Sequence, residues 1–412
     1  MKTAGMSLFL CLVAAVASAQ TKVIDSMDDI ALWKTNHTDN RITFSADAQP
    51  KEGQGAVHLD SQVATTFAII YRRLKPGPDW NGYDGFVFWV KGDGSKHFGD
   101  IRIQAGSWNR AWLGNFPLKD THWHEVKLAW RDLVPAGAGT PELGTADGFR
   151  PTDLDFIAFG KSWNFNTRHQ RPKLAFSIDE LRLVKGIQPN RPRRKIETFP
   201  AVSTVVAKMK AREPVTVLAL GDSITWGTSA GGNRNAYPAL LGEMLRKHYR
   251  NDKIEIVSRA IGGSTTAKGR QWLNRDVRGV EADLITIMFG FNEMAQKPEE
   301  RETKTKAFTA NLVTYAEEAA GVMKTAPACV LLATIPGNGK HWESLDCYAE
   351  GVRELGRRHK NLTVADVNAH FKKMGFEKFK TLMADGAHPN RNGQREMAKV
   401  VFEAITGEKP PE

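Results

Sequence analysis

Four short segments in the second half of the chain hold residue types that could do chemistry. They are Gly221-Asp222-Ser223-Ile224-Thr225, Ala260-Ile261-Gly262-Gly263-Ser264-Thr265, Gly290-Phe291-Asn292-Glu293 and Asp385-Gly386-Ala387-His388-Pro389-Asn390. A serine hydroxyl is a weak nucleophile until a base takes its proton, and an imidazole held by a carboxylate is such a base. Ser223, His388 and Asp385 supply the three types, and Asp385 lies three residues before His388, within reach of its ring. Gly262 and Gly263 let a backbone N–H approach a substrate with no Cβ in the way. Asn292 adds a side-chain amide, and the Ser223 N–H a third donor, which together could stabilise an oxyanion. The chemistry these parts suit is acyl transfer. Taken singly, each segment is ordinary: Gly-Asp-Ser is a turn, Asp-x-x-His a helix cap, Gly-Gly a loop, and Asn a turn-closing side chain. Their order and spacing carry the argument, which depends on the elements that position them.

Those elements are strands. Apolar runs Val215-Thr-Val-Leu-Ala-Leu220, Ile254-Glu-Ile-Val-Ser258, Leu284-Ile-Thr-Ile-Met-Phe289, Cys329-Val-Leu-Leu-Ala-Thr-Ile335 and Leu362-Thr-Val-Ala365 alternate with amphipathic stretches at 236–248, 303–323, 343–359 and 392–404. Strands buried on both faces and separated by helices predict a parallel sheet sandwiched between helical layers. Five strands in about 200 residues make one α/β/α domain, and sites in such sheets lie at the carboxyl ends of the strands. Three of the four segments follow those ends directly. The histidines here do not pair at metal-ligand spacing, so neither a metal nor a cofactor is expected.

Residues 215–406 resemble the SGNH (GDSL-like) hydrolase superfamily, whose four blocks carry Ser, Gly, Asn and His. The resemblance implies Ser223 as nucleophile, with Asp385 and His388 completing the triad. It also implies an oxyanion hole made by the Ser223 amide, Gly263 and Asn292, with Gly262 the alternative to Gly263. The chain departs from the pattern twice: the third block ends in Glu293 where Asp is usual, and Ser258 stands where the second block usually opens with Asn.

The first half reads differently. Short alternating segments begin at Phe67, Gly85, Asp100, Trp123, Asp155 and Phe176, separated by Gly/Pro/Asp/Asn turns, which predicts a β-sandwich of jelly-roll type. It resembles family-11-like, galactose-binding-like carbohydrate-binding sandwiches through Tyr83-Asp-Gly-Phe-Val-Phe-Trp-Val-Lys-Gly-Asp-Gly94, Trp123-His-Glu-Val-Lys-Leu-Ala-Trp-Arg-Asp-Leu133 and Phe176-Ser-Ile-Asp-Glu-Leu-Arg-Leu-Val184. Eight of the eleven tryptophans lie in this half. Most read as core, and Trp108, Arg110, Trp112 and Trp163 stand as the residues that would meet a sugar. Related sandwiches hold a structural calcium, for which Asp25 and Asp179 are the candidate ligands.

Lys2, an apolar run over residues 6–16 and Ala17-Ser18-Ala19 read as a secretory signal peptide, too short to span a bilayer. The expected organisation is therefore a signal peptide at 1–19, a sandwich at 20–186, a linker and short helix at 187–212, and the hydrolase-like domain at 213–412. Cys329 opens a strand that carries the chain roughly 20 Å, and Cys347 sits beyond its far end, so two separate thiols are expected. A net charge of +11 suits acidic partners such as uronic-acid polysaccharides. No nucleic-acid motif accompanies it. Together these features lead to one expectation: a secreted or periplasmic esterase deacetylating a plant or algal polysaccharide such as xylan, mannan or pectin. A lipase, thioesterase or lysophospholipase on the same fold, and an inactive carbohydrate-binding protein, are the alternatives.

Overall fold

Twelve antiparallel strands build the first half in the computed structural model, which describes residues 20–36, 42–61, 68–136, 150–161, 173–188, 198–277 and 279–411. The strands are β1 (Thr21–Asp25), β2 (Lys34–Thr35), β3 (Thr43–Ala46), β4 (Val57–Ser61), β5 (Ala68–Arg73), β6 (Gly85–Lys91), β7 (Phe98–Ala105), β8 (Ser107–Pro117), β9 (His124–Ala129), β10 (Val134–Pro135), β11 (Phe156–Lys161) and β12 (Leu174–Val184). One sheet runs β3-β4-β12-β6-β9 with β1 also on β12, and the other runs β10-β8-β7-β11-β5-β2. Aromatic residues fill the space between them. Phe116 meets Phe88 and Phe176 edge-on, each at 5.4 Å between ring centres, a favoured aromatic geometry.

The β7–β8 hairpin corrects one expectation. Trp112 is fully buried in the sandwich core, not exposed. Ala105 pairs with Ser107 but Gln104 pairs with Ala111, so the residues between leave the regular ladder. Trp108 and Arg110 therefore reach solvent, while Trp112 returns to the inward row with Phe116.

From residue 198 onward the chain alternates helix and strand: α1 (Val202–Lys210), β13 (Val215–Gly221), α2 (Ser223–Trp226), α3 (Tyr237–Tyr249), β14 (Ile254–Ser258), α4 (Thr266–Arg270), α5 (Leu273–Asp276), β15 (Leu284–Met288), α6 (Arg301–Gly321), β16 (Ala328–Leu332), α7 (Asp346–Arg358), β17 (Leu362–Ala365), α8 (Val367–Met374), α9 (Phe376–Thr381) and α10 (Arg391–Thr406). The sheet is parallel, in the order β14-β13-β15-β16-β17. Side chains alternate across it. Val215 and Val217 pack with α1, α3, α8, α9 and α10, whereas Leu218 and Leu220 pack with α5, α6 and α7. This is the SGNH hydrolase fold behind a β-sandwich. Cys329 and Cys347 are both free thiols, and burial pushes the Cys329 thiol well up.

The two halves touch. The Gln271 side-chain amide donates to the Pro135 carbonyl at 2.7 Å, and α5 packs on β8. Ala111 and Leu113, on the row of β8 opposite Trp112, are buried, so the outer face of this sheet is not a fully open surface. Among the described residues no helix is long and apolar enough to cross a membrane. The expected signal peptide and most of the expected linker lie outside the described residues.

Candidate active site

β13 delivers Ser223 to the carboxyl edge of the sheet. Gly221 ends the strand with no room for a side chain: a Cβ there would lie 2.2 Å from Thr225 Oγ1 and 2.6 Å from the Met288 carbonyl oxygen. Asp222 caps α2 by accepting the Ile224 N–H at 2.9 Å, a local bond of the kind that starts a helix at Asp. Ser223 is then the first helical residue, with its side chain at the cleft.

His388 arrives from the other end of the domain, on the loop between α9 and α10. That loop is closed by the Ala384 N–H donating to the His388 carbonyl (2.8 Å) and by a bridge between Met383 and Pro389. Within it, Asp385 Oδ1 accepts the N–H groups of Ala387 and His388, both at 2.7 Å. His388 Nδ1 lies 2.9 Å from Asp385 Oδ2, and Nε2 lies 2.9 Å from Ser223 Oγ. An imidazole carrying its proton on Nδ1 donates to Asp385 and accepts the Ser223 hydroxyl at Nε2. Burial works to raise the Asp385 carboxyl. The Ala387 amide and the His388 ring and amide outweigh it and hold the group down at about 2, so it is ionised at neutral pH.

The structure thus brings together Ser223, His388 and Asp385, residues up to 165 positions apart. Gly262, Gly263 and Asn292 line the same cleft of about 740 Å³, together with Trp226, Ser229 and Phe291. Gly263 has φ +71°, a left-handed backbone suited to glycine, and its Cβ position faces open space. A Cβ on Gly262 would sit 3.6 Å from Ser223 Cβ. Asn292 is placed at the cleft, but its amide is already engaged: Nδ2 donates to the Ser264 carbonyl at 2.9 Å and to Asp222 Oδ2 at 3.2 Å. An amide nitrogen has only two hydrogens, so an oxyanion would have to draw one from the longer contact.

Three further residues at this site escape sequence reasoning. Asp222 is fully buried, which pushes its carboxyl up to about 7, with Glu293 adding to the shift. Glu293 accepts the Thr266 N–H (2.6 Å) and the Gly290 N–H (3.1 Å), and burial raises its carboxyl too. Ser229, held at φ +64°, donates its hydroxyl to Asp385 Oδ2 at 3.1 Å. Asp222 was visible as the middle of Gly-Asp-Ser and Glu293 as a departure in the third block. Nothing local marks Ser229.

Residues 219–396 match the family of GDSL-like lipases and acylhydrolases. The second half of this chain thus resembles the GDSL-like acylhydrolases. Residues 32–172 match a different family, described as complex I intermediate-associated protein 30 (CIA30). Among curated proteins, an uncharacterized lipoprotein, YqeF, of Bacillus subtilis (strain 168) is 32% identical over 141 residues, which are 33% of this chain and 56% of that protein. The chain therefore spans little more than half the length of that relative. Among solved structures, the GDSL-like domain is similar to Axe2, an acetylxylan esterase from Geobacillus stearothermophilus, at 22% identity and a TM-score of 0.40, over 47% of this chain and 95% of that one. The sandwich is similar to a family 11 carbohydrate-binding module from Clostridium thermocellum, in complex with a β-1,3-1,4-mixed-linked tetrasaccharide, at 15% identity and a TM-score of 0.33. That match covers 41% of this chain and 97% of the module.

The carbohydrate candidates on the sandwich do not form one group. Trp108 is 51% exposed, its ring stacked at 3.8 Å over the Arg102 guanidinium, and Arg110 is exposed beside it. Trp112 is in the core, as described above, and Trp163 lies outside the described residues. The candidate calcium ligands are only partly engaged elsewhere, since Asp179 Oδ1 is buried without a hydrogen-bond partner among the described residues. Asp25 pairs with Arg72, and Asp179 accepts the N–H groups of Lys51 and Glu52. Among the described residues no three His, Cys, Asp or Glu side chains converge as a metal site would need.

Proposed function

We propose that this protein is a secreted or periplasmic carbohydrate acetylesterase acting through an acyl-enzyme on Ser223. The observation that carries the reading is the unbroken relay from Asp385 through His388 to Ser223, with 2.9 Å at each step, at the edge of the 740 Å³ cleft. Ser223 Oγ attacks the ester carbonyl carbon while His388 Nε2 takes the hydroxyl proton. The carbonyl electron pair moves onto oxygen, where the Ser223 and Gly263 N–H groups and the Asn292 amide hold the developing charge. Collapse breaks the bond to the sugar oxygen, which receives the proton from His388 and leaves as an alcohol. Water, deprotonated by the same imidazole, then attacks acetyl-Ser223 and releases acetate.

The substrate class rests on three features together: the GDSL-like domain, the sandwich with Trp108 and Arg110 turned to solvent, and an N-terminal stretch of signal-peptide character. Acetylated xylan, mannan or pectin would present its ester at the cleft while the sandwich holds the polymer. Trp226 and Phe291 in the cleft favour a second reading, a lipolytic or thioester substrate with a longer acyl chain. Turnover of p-nitrophenyl acetate and palmitate, and acetate released from each acetylated polysaccharide, separate the two. In Ser223→Ala, turnover of p-nitrophenyl acetate should fall roughly 10³-fold or more with the fold intact. Turnover near the wild-type rate would rule out the serine mechanism.

A further inference from the structure

The three oxyanion donors come from three separate turns, and two carboxylates tie those turns together. Asp222 reaches two of them: Oδ1 holds the Ile224 N–H of the turn that carries the Ser223 amide, and Oδ2 holds the Asn292 side chain. Glu293 joins a different pair. Its Oε1 accepts from Thr266, three residues after Gly263, and its Oε2 accepts from Gly290, two residues before Asn292. Asn292 Nδ2 closes the circuit on the carbonyl of Ser264, next to Gly263. The backbone of Glu293 is anchored as well, its carbonyl accepting from Tyr348 Oη at 2.8 Å. Every donor turn is thus bonded to another through a carboxylate or through Asn292 itself.

We propose that Glu293 is a positioning residue that holds the Gly263 and Asn292 donor turns in one register by bridging one to the other. The proposal rests on the serine-esterase reading. Two carboxyl groups drawn out of water near each other are costly to keep. Here each takes two donors from two different segments, which is more than a local cap requires. The length of Glu293 is also needed. An aspartate at this position would be shorter by one methylene, about 1.5 Å, and could not span from Gly290 to Thr266. The bridge therefore depends on the very residue by which this chain departs from the usual third block. A displacement of about 1 Å at a reacting centre costs up to about 10²-fold in rate.

The experiment uses the full chain with Glu293→Asp and Glu293→Gln, the second keeping the length and one acceptor oxygen. For Glu293→Asp, kcat on p-nitrophenyl acetate should fall about 10- to 100-fold with KM within twofold. Affinity for an arylboronic acid, whose adduct on Ser223 mimics the tetrahedral oxyanion, should fall by a similar factor. Glu293→Gln should recover part of both. Hydrogen exchange should speed up at the amides of residues 263–266 in Glu293→Asp. Unchanged kcat and boronate affinity, or a change confined to KM, overturns the proposal. So does a large fall in Tm in both variants, which would make Glu293 a general stability element. If the wild type shows no Ser223-dependent turnover, the esterase reading fails separately. Hydrogen exchange at 263–266 then decides the brace: faster exchange upholds it and unchanged exchange overturns it.

Discussion

Replacing Asp385 by asparagine should separate the electrostatic part of this carboxylate from its orienting part. Oδ1 receives two backbone N–H groups, and Oδ2 receives the His388 ring and the Ser229 hydroxyl. An asparagine keeps its oxygen toward the two backbone donors and turns its NH₂ toward His388 Nδ1. That nitrogen must then accept, which moves the ring proton to Nε2, where it can no longer take the Ser223 proton. Loss of the productive tautomer should lower kcat by about 10³- to 10⁴-fold with little change in KM.

The same substitution has a measurable effect on stability. Lowering this carboxyl from 3.8 to about 2 corresponds to about 2.5 kcal/mol at full strength. The side chain is 45% exposed, and solvent screening reduces the contribution to about 1 kcal/mol. Because the folded-state value is depressed, this stability is present above about pH 4 and is lost as the pH falls toward 2. Unfolding free energies from urea titration at pH 6 should therefore differ between wild type and Asp385→Asn by about 1 kcal/mol, and the gap should close by pH 2. An equal gap at both pH values would refute the charge argument. A kcat within tenfold of wild type would refute the tautomer argument.

Three other outcomes are expected. If its amide turns from Asp222 to the developing oxyanion, Asn292→Ala should lower kcat about 10²-fold with KM nearly unchanged; an effect on KM alone would reassign it to substrate binding. Gly221→Ala forces a methyl against Thr225 Oγ1 and the Met288 carbonyl and should cost about 1–3 kcal/mol in thermal or urea unfolding, whereas an unchanged Tm would show that β13 and α2 can separate freely. Trp108→Ala should leave turnover of p-nitrophenyl acetate intact and raise KM on acetylated polysaccharide several-fold; equal kinetics on the polymer would remove Trp108 from any glycan-binding role.

The parallel sheet was legible in the sequence almost residue by residue. Strands covered on both faces must be apolar throughout, and runs such as Leu284 to Phe289 have no other simple reading. The motif segments were legible for a related reason: in such a sheet a Gly-Asp-Ser or Gly-x-Asn directly after an apolar run stands at a carboxyl edge. The sandwich was harder. Short strands such as β4, where His58 stands between Val57 and Leu59 but Asp60 is followed by Ser61, carry a weak alternating signal. The irregular β7–β8 pairing, which decides that Trp108 faces solvent and Trp112 the core, has no local mark at all.

What the sequence determined by itself, then, is which residue types stand at the strand ends and in what order, because that depends on local periodicity and turn chemistry. What only the tertiary structure decided is how they meet. His388 reaches Ser223 across 165 positions because α10 and the closed 384–389 loop pack beside α2. Asp222 and Glu293 acquire their donors only when three separate turns converge. Burial, and with it the raised carboxyl of Asp222, belongs to the assembled domain, since desolvation depends on everything packed around a group and not on its neighbours along the chain.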